Sequence, residues 1–167
     1  MPHVPPPARY AHRVCPRWAT TIRSPPFPQV RPSGARQRQG LKYEASVHQK
    51  LEQTFELSYF PGVWFKYEGP GDDIRYCQVD GLIVSSSRRC ITLVECKYSH
   101  TPDAYWQMEN LYVPVLRAWL RDAGEWSIST VEVVKWFDPA TACPRKPVLR
   151  ADLRDVKPNE FAIHILK

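Results

Sequence analysis

The chain has 167 residues, of which 43% are hydrophobic and 24% charged, so it resembles an ordinary globular protein long enough to bury one core. Its longest apolar runs fall well short of about 18 residues, and no apolar leader-like segment opens it, which argues against a helical membrane span and against secretion. The net charge of +6 is concentrated: residues 1–40 carry seven arginines and no Lys, Asp or Glu, whereas residues 41–167 hold 16 basic against 17 acidic side chains.

Residues 1–40 also contain nine of the 17 prolines. Each proline removes a backbone donor and biases its predecessor toward extended geometry, so a disordered or extended, polyproline-like arm is expected. Arginines on such an arm neutralise phosphates or an acidic partner surface, and Arg31, Arg36 and Arg38 are taken as its nucleic-acid contacts. A transit peptide would share the Arg-rich, acid-free composition, but the prolines spoil the amphipathic helix that such a signal needs.

Gly40 punctuates the arm, and a domain of residues 41–167 is expected to follow. Val47, Leu51 and Phe55 recur at fours, which predicts a helix over 41–57. Pro61-Gly62 reads as a turn. Val63 to Tyr67, Arg75 to Val84 and Cys90 to Tyr98 read as strands, the last two spaced for an antiparallel hairpin. Thr101-Pro102 is a helix-start signal, with a helix to about Asp122 that Pro114 should kink or split. Thr130 to Phe137 and Phe161 to Leu166 are further strands, joined by a proline-rich connection. The order is α-β-β-β-α-β-β, an α/β domain with a mixed four- or five-stranded sheet flanked by helices.

The informative stretch is Asp80, followed fifteen residues later by Glu95-Cys96-Lys97. Side chains alternate along a strand, so Glu95 and Lys97 share one face and Cys96 points to the other. If the two strands pair, Asp80 lies beside Glu95, and two carboxylates and an ammonium converge. Charges in apolar strands are costly to bury unless they are paired or hold a metal. Oxygen ligands favour a hard cation, Mg²⁺ or Mn²⁺, which would lower the pKa of a bound water and neutralise charge on a phosphate oxygen. Lys97 would orient that water and stabilise the developing phosphorane charge. The plainer reading is a structural ion-pair cluster.

With its strand placement and flanking helices, residues 40–120 resemble the PD-(D/E)xK nuclease superfamily, which has the restriction-endonuclease-like fold. The resemblance matches Asp80 in QVDGLIV to the family's aspartate, and Glu95 and Lys97 in LVECKYS to its (D/E)xK. It implies supporting roles for Glu44 on the first helix and Gln107 on the following one, with the backbone carbonyl of Cys96 as a further metal ligand. Val79 stands where the family often has proline, and Tyr112 follows Gln107 by five residues rather than four.

The function expected is metal-dependent hydrolysis of DNA, structure-specific or weakly sequence-specific, in recombination, replication or the processing of phage or foreign DNA. RNA is a less favoured substrate for the same chemistry. The alternative is a catalytically silent assembly protein that binds a protein partner through its arm. A resolvase-like role would imply a homodimer. Five widely spaced cysteines without a CxxC pair fit reduced thiols, hence the cytoplasm of a bacterial or phage-infected cell. Lys42, Lys50, Lys66, Arg75, Arg88 and Arg89 are scattered, and the sequence selects no phosphate contact among them.

Overall fold

The computed structural model describes residues 4–167. Strand β1 (Ala19–Ile22) lies within the arm, and helix α1 (Ala35–Phe55) follows it. Strands β2 (Tyr59–Glu68), β3 (Ile74–Ser85) and β4 (Cys90–Ser99) come next. Helices α2 (Pro102–Gln107) and α3 (Val113–Trp119) are joined through a π-helical turn, Met108–Tyr112. Strands β5 (Ser127–Trp136), β6 (Val148–Leu149) and β7 (Phe161–Ile165) complete the chain.

All seven strands form one mixed sheet in the order β1-β2-β3-β4-β5-β7-β6. The pairs from β1 to β4 are antiparallel, and those linking β4, β5, β7 and β6 are parallel. Parallel neighbours need a long crossover, which α2 and α3 supply between β4 and β5. One face packs Val47 and Leu51 of α1 on Val94, Val131 and Val133, while the other packs Met108, Val115 and Leu116 on Phe65, Leu93 and Phe161.

The sheet is therefore larger than the four or five strands expected. The five expected strands are all present, and the additions are the two edges, β1 with four residues and β6 with two. Elements this short carry too few residues to display a period of 2, and neighbouring prolines are tolerated at a sheet edge. Pro61 and Gly62 lie inside β2 rather than in a turn, although Gly62 has φ +59°.

Helix α1 starts at Ala35, ahead of the boundary expected at Gly40. Arg36 to Gln39 are good helix formers, and a helical glycine costs about 1 kcal/mol relative to alanine, too little to stop a helix with a buried face. Arg36, Arg38 and Gly40 thus belong to α1, which runs across the 40/41 boundary.

The arm is bound rather than free. Arg9 pairs with Asp103 at 3.0 Å, Arg13 with Glu109 at 3.0 Å, and Arg17 donates to Glu68 from its backbone N–H at 2.9 Å and from Nε at 2.8 Å. Strand β1 then pairs with β2 from Ala19 opposite Tyr67 to Ile22 opposite Trp64. The attachment is completed by Pro114. Proline has no N–H to give the carbonyl four residues back, and that carbonyl, on Asn110, accepts the Val14 N–H at 2.9 Å instead. The Asn110 side-chain amide donates to the Tyr10 carbonyl at 2.8 Å. The helix accommodates Pro114 by widening into the π-helical turn rather than by breaking.

Candidate functional site

The antiparallel ladder between β3 and β4 runs from Ser85 opposite Cys90 to Gly81 opposite Val94 and stops there. The next pair would be Asp80 and Glu95. Instead the strands splay, and the Asp80 Oδ2 accepts the Cys96 N–H at 2.7 Å. Side-chain alternation slips at the same point: Val79 and Leu82 both pack on the α2–α3 side, and Ile83 packs on the α1 side.

Two glycines make this possible. Gly62, with φ +59°, lies across from Asp80 in the β2–β3 register. A Cβ on Gly81 would lie 2.5 Å from the Tyr59 hydroxyl, so only glycine fits under that ring. N–H and C=O of one residue leave a strand on the same side, so the Cys96 carbonyl also faces the gap where β3 has turned away.

Glu95 is 2% exposed and follows Ile91 and Leu93 on the α2–α3 face. Its Oε1 is 2.8 Å from the Lys97 Nζ, and its Oε2 is buried with no hydrogen-bond partner among the described residues. Burial, followed by the Asp80 charge, pushes the Glu95 carboxyl up to about 8. Burial and the Glu44 charge push Asp80 up to about 6, against the Cys96 N–H bond. Burial opposes the Lys97 ammonium, yet Glu95 and Asp80 hold it above its ordinary value. Cys96 packs beneath α1 with Tyr43, Val47 and Val94, on the face opposite Glu95 as expected.

Glu44 approaches from α1 as the largest charge acting on Asp80, and its Oε1 lies 3.3 Å from the His48 Nε2 one turn on. The other His48 ring nitrogen meets the Tyr59 hydroxyl. On the opposite side Gln107 donates to the Tyr112 hydroxyl, which burial, Glu95 and Asp80 all keep protonated. Asp80, Glu95 and Lys97 thus converge, Glu44 stands beside Asp80, and Gln107 reaches the cluster through Tyr112.

Arg31, Arg36 and Arg38 are exposed and bond to no carboxylate among the described residues. Arg36 and Arg38 flank the first turn of α1, where Gln39 donates to the Tyr98 hydroxyl at 3.0 Å, one residue beyond Lys97. They therefore sit at the same end of the sheet as the carboxylates.

Four neighbours were not foreseen. His48 stands four residues after Glu44, a helical spacing that was readable. Tyr59 and Tyr10 gave no local signal, and Tyr10 comes near Lys97 and Glu95 because the arm is docked there, the Tyr10 carbonyl held by the Asn110 amide. Glu132, in register with Glu95, is wholly buried but compensated by the His100 Nδ1 at 2.7 Å. Burial works against protonation of His100, but Cys143 and Glu132 outweigh it and raise the ring to about 9.

The donors around the gap are all oxygens: two carboxylates, one of which carries the orphaned Glu95 Oε2, and a backbone carbonyl. Among the described residues no three His, Cys, Asp or Glu side chains are arranged to hold a metal. The residues that could hold an ion here are the two carboxylates and the carbonyl, oxygen donors of the kind that hard divalent cations take. No helix among the described residues is long and apolar enough to cross a membrane. Comparison of the chain with protein-family models, with curated proteins and with solved structures finds no match.

Proposed function

We propose that the chain is a metal-dependent nuclease that hydrolyses phosphodiester bonds in DNA, with the chemistry of the PD-(D/E)xK enzymes its motif resembles. The observation that carries the reading is the orphaned Glu95 Oε2, buried beside Asp80 where two strands part. A sheet that interrupts its own ladder to gather two carboxylates sacrifices stability there, and a cation would offset their mutual repulsion. Bound divalent metal would supply Lewis acidity toward a phosphate oxygen and a more acidic water.

The chain's own residues do the rest. Asp80, Glu95 and the Cys96 carbonyl would hold the ion, and Glu44 would support it from α1. Lys97, tied to Glu95 at 2.8 Å, holds its ammonium where it orients the attacking water and stabilises charge on the phosphoryl oxygens. Gln107 and Tyr112 fix the wall behind Glu95. Arg36 and Arg38 lie on the rim for the flanking phosphates.

The test is cleavage of labelled plasmid, linear duplex, single-stranded, flap and four-way-junction DNA with Mg²⁺ or Mn²⁺, beside chelator controls. Lys97→Ala should lower cleavage by about a hundredfold or more while leaving the thermal transition in place. Cleavage at the wild-type rate by that variant, or no cleavage of any substrate by the folded wild type, would overturn the assignment. The second outcome would favour an assembly role.

A further inference from the structure

Far from Asp80, at the opposite end of β4, lies a cavity of about 800 Å³ whose charged lining is one-sided. Arg88 and Arg89 enter it from the β3–β4 turn, and Arg117 and Arg121 from the end of α3, against a single carboxylate, Glu125. None of the four arginines pairs with an acid among the described residues. The cavity borders Ser127, the Cα partner of Cys90 at the start of β4, and Lys97 stands seven residues along that strand. At strand rise the separation is roughly 20 Å, so this is a second site.

The cavity is built as well as charged. Arg89 has φ +48°, donates to the Ala123 carbonyl, and lies over the Trp126 ring at 5.9 Å from its centroid. Its backbone carbonyl accepts the Ser127 N–H at 3.0 Å. Gly124 has φ +86°, and a Cβ there would lie 2.6 Å from the Arg89 guanidinium, so glycine is what leaves room for that side chain. Arg121 donates to the Arg17 carbonyl at 3.1 Å, which directs it by the arm. Trp126, which lines the cavity, has its indole N–H buried without a hydrogen-bond partner among the described residues.

Arg117 in the last turn of α3 is favoured by the helix dipole, but that accounts for only one of the four. Guanidiniums are donors without acceptors, and so is an indole N–H. Arg89 and Arg121 each spend one donor on a backbone carbonyl and Arg88 and Arg117 spend none, so a concavity of mutually repelling guanidiniums with donors to spare is complementary to an anion that accepts several bonds at once.

We propose that this cavity binds phosphate groups, those of a nucleotide or of a nucleic-acid strand. The volume greatly exceeds one phosphate and four guanidiniums line it, which leaves room for two phosphates of the same ligand. The site stands whether or not the Asp80 cluster cleaves DNA.

Binding is measured on the full chain without divalent metal, so cleavage contributes nothing. Inorganic pyrophosphate and a short single-stranded oligonucleotide are titrated separately at two salt concentrations. The variant is Arg88→Ala combined with Arg117→Ala, two exposed residues whose side chains make no hydrogen bond among the described residues. The wild type is expected to bind at least one probe, with affinity falling as salt rises, and the variant to bind it about tenfold or more weakly. Pyrophosphate binding that displaces the oligonucleotide assigns both to this cavity. Pyrophosphate alone points to a nucleotide, and the oligonucleotide alone to a strand. Equal affinity in wild type and folded variant, or no binding of either probe, would overturn the proposal.

Discussion

Asp80 and Glu95 are held in the folded chain against their own ionisation. Burial is the first cause for both, and each sits near another carboxylate. A carboxyl whose folded pKa exceeds its unfolded one binds more protons folded than unfolded, so its ionisation destabilises the fold. Stability is therefore expected to fall as pH rises from about 4 through 6 for Asp80 and on through about 8 for Glu95. Asp80→Asn keeps an oxygen for the Cys96 N–H and removes the charge. It should raise stability above pH 6 by about 1–3 kcal/mol, flatten the first step of the profile, and abolish cleavage. Urea unfolding of both proteins at pH 4 and pH 7.5 checks this, and a variant less stable than wild type at pH 7.5 would contradict it. The residue types of this cluster were legible because Asp80, Glu95 and Lys97 interrupt apolar strands. That the strands part at that point was not legible, because it depends on Gly62 and on the Tyr59 ring over Gly81, neither of which is local to the motif.

At the scale of elements, Pro114 joins the helix to the arm. The interior proline was readable as a defect in a long helix, but the identity of the group that satisfies the freed carbonyl was not, since Val14 lies ninety-six residues away from Asn110. Two substitutions probe the attachment independently. Asn110→Ala removes the bond to the Tyr10 carbonyl, and Pro114→Ala restores an N–H that competes with Val14 for the Asn110 carbonyl. Each hydrogen bond lost is worth about 1 kcal/mol, so trypsin should cut after Arg13 about fivefold faster in either variant than in wild type. Unchanged cutting in both would mean that the salt bridges and β1 alone hold the arm. Helix α1 teaches a related lesson: Gly40 looked like a terminus because glycine is a poor helix former, yet Tyr43, Val47 and Leu51 bury a stripe strong enough to carry the helix through it.

For the whole molecule, the arm completes the sheet. Deleting residues 1–33, which starts the chain just ahead of α1, removes β1 and the three arginine–carboxylate attachments. The melting temperature should fall by about 5 °C or more, because β2 becomes an unprotected edge. An unchanged melting temperature would show that the arm is peripheral to stability. Composition alone separated a basic, proline-rich segment from a nearly neutral α/β domain. Apolar and β-branched runs between turn signals located five strands, and a helical period and a Thr-Pro start signal located the two helical regions. The motif alone placed two carboxylates and a lysine on adjacent strands. Tertiary structure decided what those patterns could not carry: the two short edge strands, the docking of the arm, the slip that opens the sheet at Asp80, and the gathering of Arg88, Arg89, Arg117 and Arg121 around one cavity. Each of these depends on contacts between residues far apart in the chain, and local pattern holds no record of which distant group will fill a given bond or face a given charge.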